Sequence, residues 1–121
     1  MISNRGPIER RRRRLRAELR ALSEQPLMRG SVVERLRRCG RANCACARDP
    51  GARHGGTFFT VHLQGATQAV HVRPEDEAAV RAAVATYQRL WTLIDALTVL
   101  ELADLKRQAR ERRRARQRRR V

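Results

Sequence analysis

Aromatic side chains are nearly missing from this sequence: Phe58, Phe59, Tyr87 and Trp91 are all it has in 121 residues. A core must therefore rest on Val, Leu, Ile and Ala, and it is small for the chain length. Cysteine is equally sparse, with three in all, and an odd count excludes a closed disulfide framework. No apolar run is long enough for a membrane span, because the most apolar stretch, residues 87–105, holds Arg89, Asp95, Glu101 and Asp104. The N-terminal residues lack the apolar segment of a signal peptide. The expectation is a cytoplasmic protein with reduced thiols, nucleoid-associated if it binds DNA. Lysine occurs once, at Lys106, so the other 27 basic residues are arginine. That bias, beside many alanines, fits GC-rich coding and is no argument for base-specific contacts.

What is present is concentrated. The net charge of +16 sits at the two ends. Residues 1–22 carry eight Arg and two Glu, a net +6. Residues 106–121 carry nine Arg, one Lys and one Glu, a net +9, which leaves +1 for residues 23–105. Cationic arms of this density attract polyanions, of which nucleic acid is the commonest in a cytoplasm. The competing explanation is a solvated, self-repelling tail. The candidate phosphate-binding residues are Arg10, Arg11, Arg12, Arg13 and Arg14 at one end. At the other they are Arg107, Arg110, Arg112, Arg113, Arg114, Arg116, Arg118, Arg119 and Arg120. DNA is placed ahead of RNA.

All three cysteines lie within sixteen residues that end on a histidine: Cys39, Cys44, Cys46 and His54, spaced Cys-x₄-Cys-x-Cys-x₇-His. Thiolates and a neutral imidazole are the donors Zn²⁺ prefers, four of them in a tetrahedron. The intervening Gly, Asn and Pro can wrap an ion and suit neither helix nor strand. Buried free cysteine is the ordinary alternative, but a polar Gly/Pro segment is the wrong place for a core. His54 is the preferred fourth ligand; His62 and His71 read as surface strand residues, and either could substitute. A structural Zn²⁺ with four protein ligands leaves no open position for catalysis. The patterns of zinc nucleobase deaminases, phosphate-gripping Gly loops and Gly-x-Ser-x-Gly elbows are also absent. The chain is expected not to be an enzyme.

The periodicities give an α+β fold: a small zinc-stapled β-hairpin module flanked by a short N-terminal helix and a long C-terminal one. Ile8, Leu15, Leu19 and Leu22 make a thin helical stripe that needs a partner, with Pro7 in the first turn and Pro26 past the end. Residues 28–38 fit a capping box at Ser31 and Glu34, or an edge strand; the strand is preferred because it leads directly into the metal loop. Thr57–Leu63 and Thr67–Val72 form a hairpin. A two-residue type II′ loop at Gly65-Ala66 would set Val61 opposite Val70 and Phe59 opposite Val72, with His62 and His71 on the other face. Pro74 and three acids then open a helix whose stripe runs Val80, Ala83, Tyr87, Leu90, Ile94 and Leu97. It is expected to span roughly 30 to 40 residues and to fray into the arginine tail. It would pack on the N-terminal helix, on a second copy or on a partner helix through residues 80–105. The segments are 1–25 (basic helix), 26–73 (metal loop and hairpin), 74–105 (amphipathic helix) and 106–121 (arginine-rich tail).

The run Met28-Arg29-Gly30-Ser31, then Arg38-Cys39-Gly40, Asn43-Cys44-x-Cys46 and His54-Gly55, resembles a bacterial domain family of unknown function. Its members share an Arg-Cys-Gly-Lys-Pro-Asn-Cys-x-Cys core followed by His-Gly-Pro-Tyr. The resemblance covers about residues 28–100 and implies that Cys39, Cys44, Cys46 and His54 are shared positions. It also implies an association with mobile-element genes such as transposases. This chain departs with Arg41-Ala42 for Lys-Pro and with Gly56-Thr57-Phe58 for Pro-Tyr-Tyr. Two functions follow as expectations. One is a non-enzymatic, zinc-containing nucleic-acid-binding accessory protein. The other is a helix-mediated interaction subunit, for example of a recombinase or transposase complex.

Overall fold

A computed structural model describes residues 5–120. The first four residues of the expected 1–25 segment and Val121 of the arginine tail lie outside the described residues. The element order is α1 (Arg5–Ser23), β1 (Ser31–Arg37), β2 (His54–Leu63), β3 (Ala66–Val72) and α2 (Pro74–Arg120), with two short 3₁₀ turns between β1 and β2. This is the α+β arrangement the periodicities predict, with residues 31–37 as strand rather than capped helix. No described helix is long and apolar enough to cross a membrane. The fold divides into two compact units. One is Gln25–Tyr87; the other joins the described residues up to Glu24 with those from Gln88 onward.

In the first unit the three strands form one antiparallel sheet in the order β1-β2-β3, with β2 central. β1 pairs with β2 from Ser31 opposite Thr60 to Arg37 opposite His54. β2 pairs with β3 from Leu63 opposite Ala66 to Thr57 opposite Val72. The hairpin register therefore differs from the type II′ expectation by two residues: Phe59 faces Val70, and Val61 faces Gln68. The turn is Gln64-Gly65, and both residues have positive φ (52° and 79°). Two consecutive positive φ values make a type I′ turn, whose twist matches that of the flanking strands. A two-residue shift preserves which side chains share a face. Phe59, Val61 and Val72 thus still share the core side, joined by Val84 and packed by Met28, Val32 and Val80.

The first turns of α2 cover that side because Val80 and Val84 project onto it one helical turn apart. Pro74 opens the helix, and Glu75, Asp76 and Glu77 occupy the first turn, where the helix dipole favours acids. Gly30 permits the approach of the chain to β2. A Cβ there would lie 2.5 Å from the Phe59 ring and 2.6 Å from the Thr60 carbonyl oxygen.

In the second unit, Leu93 is 1% exposed and Leu15 is also buried. The N-terminal stripe from Ile8 to Leu15 has a gap at the position of Arg12, which lies one turn from each. The structure fills this gap with the arginine itself, 7% exposed. Its Nε donates to Glu101 at 2.6 Å, one Nη donates to Asp104 at 2.6 Å, and the other donates to Glu9. Glu18 accepts from Arg89 at 2.8 Å. The pairs 18–89 and 12–101/104 run in opposite chain directions, so α1 and this part of α2 are antiparallel. The Arg12 guanidinium and then Arg107 hold the Asp104 carboxyl below the ordinary aspartate range, against the opposing effect of burial.

α2 runs 47 residues, longer than the 30 to 40 expected, and stays helical through the arginine tail. Arginine is a good helix former, and cations near a helix C-terminus are favoured by its dipole. Arg107 also ties Asp104 and Glu111 along the helix at i−3 and i+4.

Gly30→Ala should cost about 1–3 kcal/mol, the range for forcing an atom into a packed site. Urea unfolding would show it as a lower midpoint with an unchanged slope. A second expectation follows from Asp104. Because its folded pKa is depressed, its contribution to stability is present above the unfolded value of about 3.9 and is lost as the pH falls through the folded one. Asp104→Asn should therefore lower stability at neutral pH and flatten the acid limb of the stability–pH curve, measured by thermal melts between neutral pH and acid.

Candidate metal centre

The connection between β1 and β2 is long, and it is held at both ends. Arg37 opposite His54 is the last pair of the ladder, so the two ends of the loop leave the sheet side by side. Cys39 stands two residues beyond that pair. Gly40 follows with φ of 86°, a left-handed conformation that reverses the chain at no steric cost to glycine. Cys44 precedes the first 3₁₀ turn, Ala45–Ala47, and Cys46 lies within it. The backbone of this turn closes through Ala47 N–H to the Cys44 carbonyl at 3.1 Å and Asp49 N–H to the Ala45 carbonyl at 2.9 Å. The second turn, Pro50–Ala52, is started by the Asp49 side chain, which accepts from Gly51 N–H at 2.9 Å. That returns the chain to His54.

The result is convergence. The ligand atoms of Cys39, Cys44, Cys46 and His54 all lie within 4.8 Å of one another. Cys44 Sγ is 3.3 Å from His54 Nε2, and the Cys46 and Cys39 sulfurs are 3.5 Å apart. With Zn–S bonds of about 2.3 Å and Zn–N of about 2.0–2.1 Å, neighbouring donors of a tetrahedron stand about 3.5–3.8 Å apart. Three thiols and an imidazole at these separations are a possible zinc site, and a contraction of about 1 Å at the longest edge would close it. The sulfurs are free thiols.

A family model described as Domain of unknown function (DUF6788) matches residues 6–82. The chain belongs to this family. No curated protein and no solved structure matches it. The four candidate ligands of this DUF6788 chain fall inside the matched residues, whereas the arginine-rich end of α2 falls outside them. The agreement with the resemblance read from the cysteine motif extends to a domain family of unknown function.

The environment of the sulfurs is uneven. Cys46 is buried, Cys44 half-buried, and Cys39 and His54 are exposed. Cys46 Sγ accepts from Cys39 N–H at 3.3 Å. The Cys44 thiol is lowered to about 6, first by the Cys46 backbone N–H, then by His54 and by the Cys46 and Cys39 side chains. Cys46 goes the other way: the Cys39 N–H pulls it down, but burial and the adjacent Cys44 and Cys39 sulfurs push it up further. Backbone N–H donors to sulfur are what sequence reasoning missed, since every residue but proline carries one and only the turn geometry aims it.

Among the three histidines the structure brings only His54 to the sulfurs. His62 contacts Thr67 Oγ1 at 3.1 Å, and the His71 ring stands edge-on to Phe58. The arginines selected from sequence divide. Arg10, Arg11, Arg13 and Arg14 are exposed on α1, as are Arg110, Arg112, Arg113, Arg114, Arg116, Arg118, Arg119 and Arg120 on α2. Arg12 and Arg107 need correcting. The Arg12 guanidinium is enclosed by three carboxylates, and Arg107 is half-buried between Asp104 and Glu111. Neither is presented to a phosphate.

Purified protein should carry one zinc per chain by elemental analysis. Cys44→Ala should lose it, whereas His62→Ala and His71→Ala should keep it. Below a pH of about 6 the Cys44 sulfur must give up a proton to bind metal. Apparent zinc affinity should therefore fall more steeply with acidity below about 6 than above it, measured by competition with a chromophoric chelator.

Proposed function

We propose that this protein is a non-enzymatic, zinc-containing nucleic-acid-binding accessory protein. In this reading Cys39, Cys44, Cys46 and His54 hold a structural Zn²⁺, and exposed arginines on both helices contact phosphates. The observation that carries the reading is the eight exposed arginines among residues 110–120, a segment that holds a single acid, Glu111. Steps of about 100° per residue distribute them all round the helix. No single face is left to read base edges, so the contacts are to phosphate and carry no sequence information. DNA is the preferred partner, and the protein would be cytoplasmic and nucleoid-associated. The four candidate ligands leave no coordination position for chemistry.

A second reading has its own observation. Trp91, Ile94, Val99, Leu102 and Leu105 are large apolar side chains exposed on α2. Ile94, Leu102 and Leu105 recur at helical spacing and would suit a partner helix or a second copy. An association with a recombinase or transposase complex belongs to this reading.

Deleting residues 106–121 separates the two. The first reading expects nucleic-acid binding to fall sharply while oligomer size is retained; unchanged binding favours the second. For the intact chain, neutralising about six to ten phosphates predicts a loss of affinity of roughly 10³–10⁵-fold between 50 and 200 mM salt. A gel-shift titration with no salt dependence would contradict the first reading.

A further inference from the structure

The middle of the chain is near neutral by count, but the sheet sorts its charges by face. Strand alternation puts Val32, Glu34 and Leu36 of β1 on the side with Phe59 and Val61, the side that α2 covers. The opposite side carries Val33, Arg35 and Arg37 from β1. It carries His54, Phe58, Thr60 and His62 from β2, and Thr67, Ala69 and His71 from β3. Arg35, Arg37 and all three histidines are exposed. Among the described residues of this face there is no Asp or Glu. Arg29 joins it at the far end, where its guanidinium donates to the His62 carbonyl at 2.9 Å.

Phe58 underlies this face, buried at 7% exposure, with the Arg37 guanidinium 5.2 Å from the ring centroid and the His71 ring 5.3 Å away at 67°. Gly56 beside it leaves room for the ring: a Cβ there would stand 3.1 Å from Phe58. Stacking on Phe58 holds the Arg37 side chain in place while the residue stays exposed, so less rotamer entropy is lost when it contacts an anion. His54 belongs both to this face and to the sulfur cluster. Beyond it, a cleft of about 510 Å³ is lined by Cys39, Arg41, Asn43, Cys44 and His54, which adds another cation.

We propose that this sheet face, opposite the one on which Val80 and Val84 pack, is through Arg35 and Arg37 a second nucleic-acid contact surface, distinct from the arginine-rich ends. The partner follows from charge complementarity. Arg37 held over Phe58, with Arg35 exposed on the same face, suits a phosphate backbone, and the exposed His54, His62 and His71 rings suit unstacked bases. The inference rests on the nucleic-acid reading above and assigns to the metal-bearing module a contact of its own. The signal was present in the sequence as Arg35 and Arg37, two residues apart. A net charge of +1 for the whole middle concealed it, because a count does not say which face of the sheet a charge is on, and Glu34 and Glu77 line a cleft with Arg35 at the edge of the face.

The test is a salt titration of binding by the full chain to a short single strand and a short duplex, read by fluorescence anisotropy. Each phosphate contact contributes about 0.7–0.9 to the slope of log affinity against log salt. Arg35→Gln with Arg37→Gln should reduce the slope by about 1.4–1.8 on the probe the wild-type chain binds more tightly. Arg37→Lys, which keeps the charge, should leave it unchanged. Arg35→Gln alone leaves the Arg37–Phe58 contact in place and should reduce it by about 0.7–0.9 even if the double variant fails to fold. The comparison is Arg112→Gln with Arg113→Gln and Arg114→Gln in the tail. An unchanged slope in Arg35→Gln beside a reduced slope in the tail variant overturns the sheet surface and leaves the nucleic-acid reading standing. A wild-type chain with no salt-dependent binding to either probe overturns both.

Discussion

Four donor atoms lie within 4.8 Å of one another at the root of the β1–β2 connection, and in the zinc reading proposed above they are the constraint on which the sheet depends. β1 is an edge strand that, among the described residues, pairs only with β2, and its last pair is Arg37 with His54. Just beyond that pair the chain makes a long excursion through two short turns, a loop whose closure costs entropy. The core beneath is thin: Phe59, Val61, Val72 and Val84, with Met28, Val32 and Val80 around them. A core of this size stabilises a module weakly. Structural zinc in small peptides contributes about 10–16 kcal/mol, comparable to the whole stability of an ordinary domain. With zinc bound, as proposed above, the cysteine cluster would fix the ladder, and through it the face of each strand residue.

Charge then divides into two uses. Some arginines are committed to the fold. Arg12 occupies a core position of α1 and finds Glu101 and Asp104 where the apolar stripe of α2 is itself interrupted. Removing these carboxylates would leave the buried Arg12 guanidinium uncompensated, so its position ties α1 to residues 101 and 104 of α2. Other arginines face solvent with no role in packing. Counting charge along the chain merges the two sets, and only burial and partners separate them.

What the sequence revealed and what it hid have the same physical origin. Periodicity located α1, β2, β3 and α2, because each buries one face and repeats accordingly, whereas β1 fits a capped helix equally well and is favoured as strand only by its lead into the metal loop. The clustering of Cys39, Cys44, Cys46 and His54 was legible because Cys and His in a Gly/Pro segment have few other reasons to come together. The hairpin register differs from the sequence expectation by two residues, because the Gly-first preference of a type II′ turn makes Gly65 the first loop residue, whereas it is the second, after Gln64. The face assignment survives that difference because two residues is one full strand period. α2 exceeds the expected 30 to 40 residues because arginine is itself a good helix former and the Asp104–Arg107–Glu111 pairs carry the helix towards the tail. The buried Arg12 was hidden because a single arginine among five looks like its neighbours until its partners, some ninety residues away, are placed.

The account stands on the sulfur and nitrogen atoms of residues 39 to 54 sharing one ion. X-ray absorption at the zinc edge of the purified full-length protein tests this most directly. The account predicts a first shell of three sulfurs at about 2.3 Å and one nitrogen at about 2.0–2.1 Å. A shell of oxygen and nitrogen without sulfur, or a folded protein that holds no zinc to measure, would contradict it.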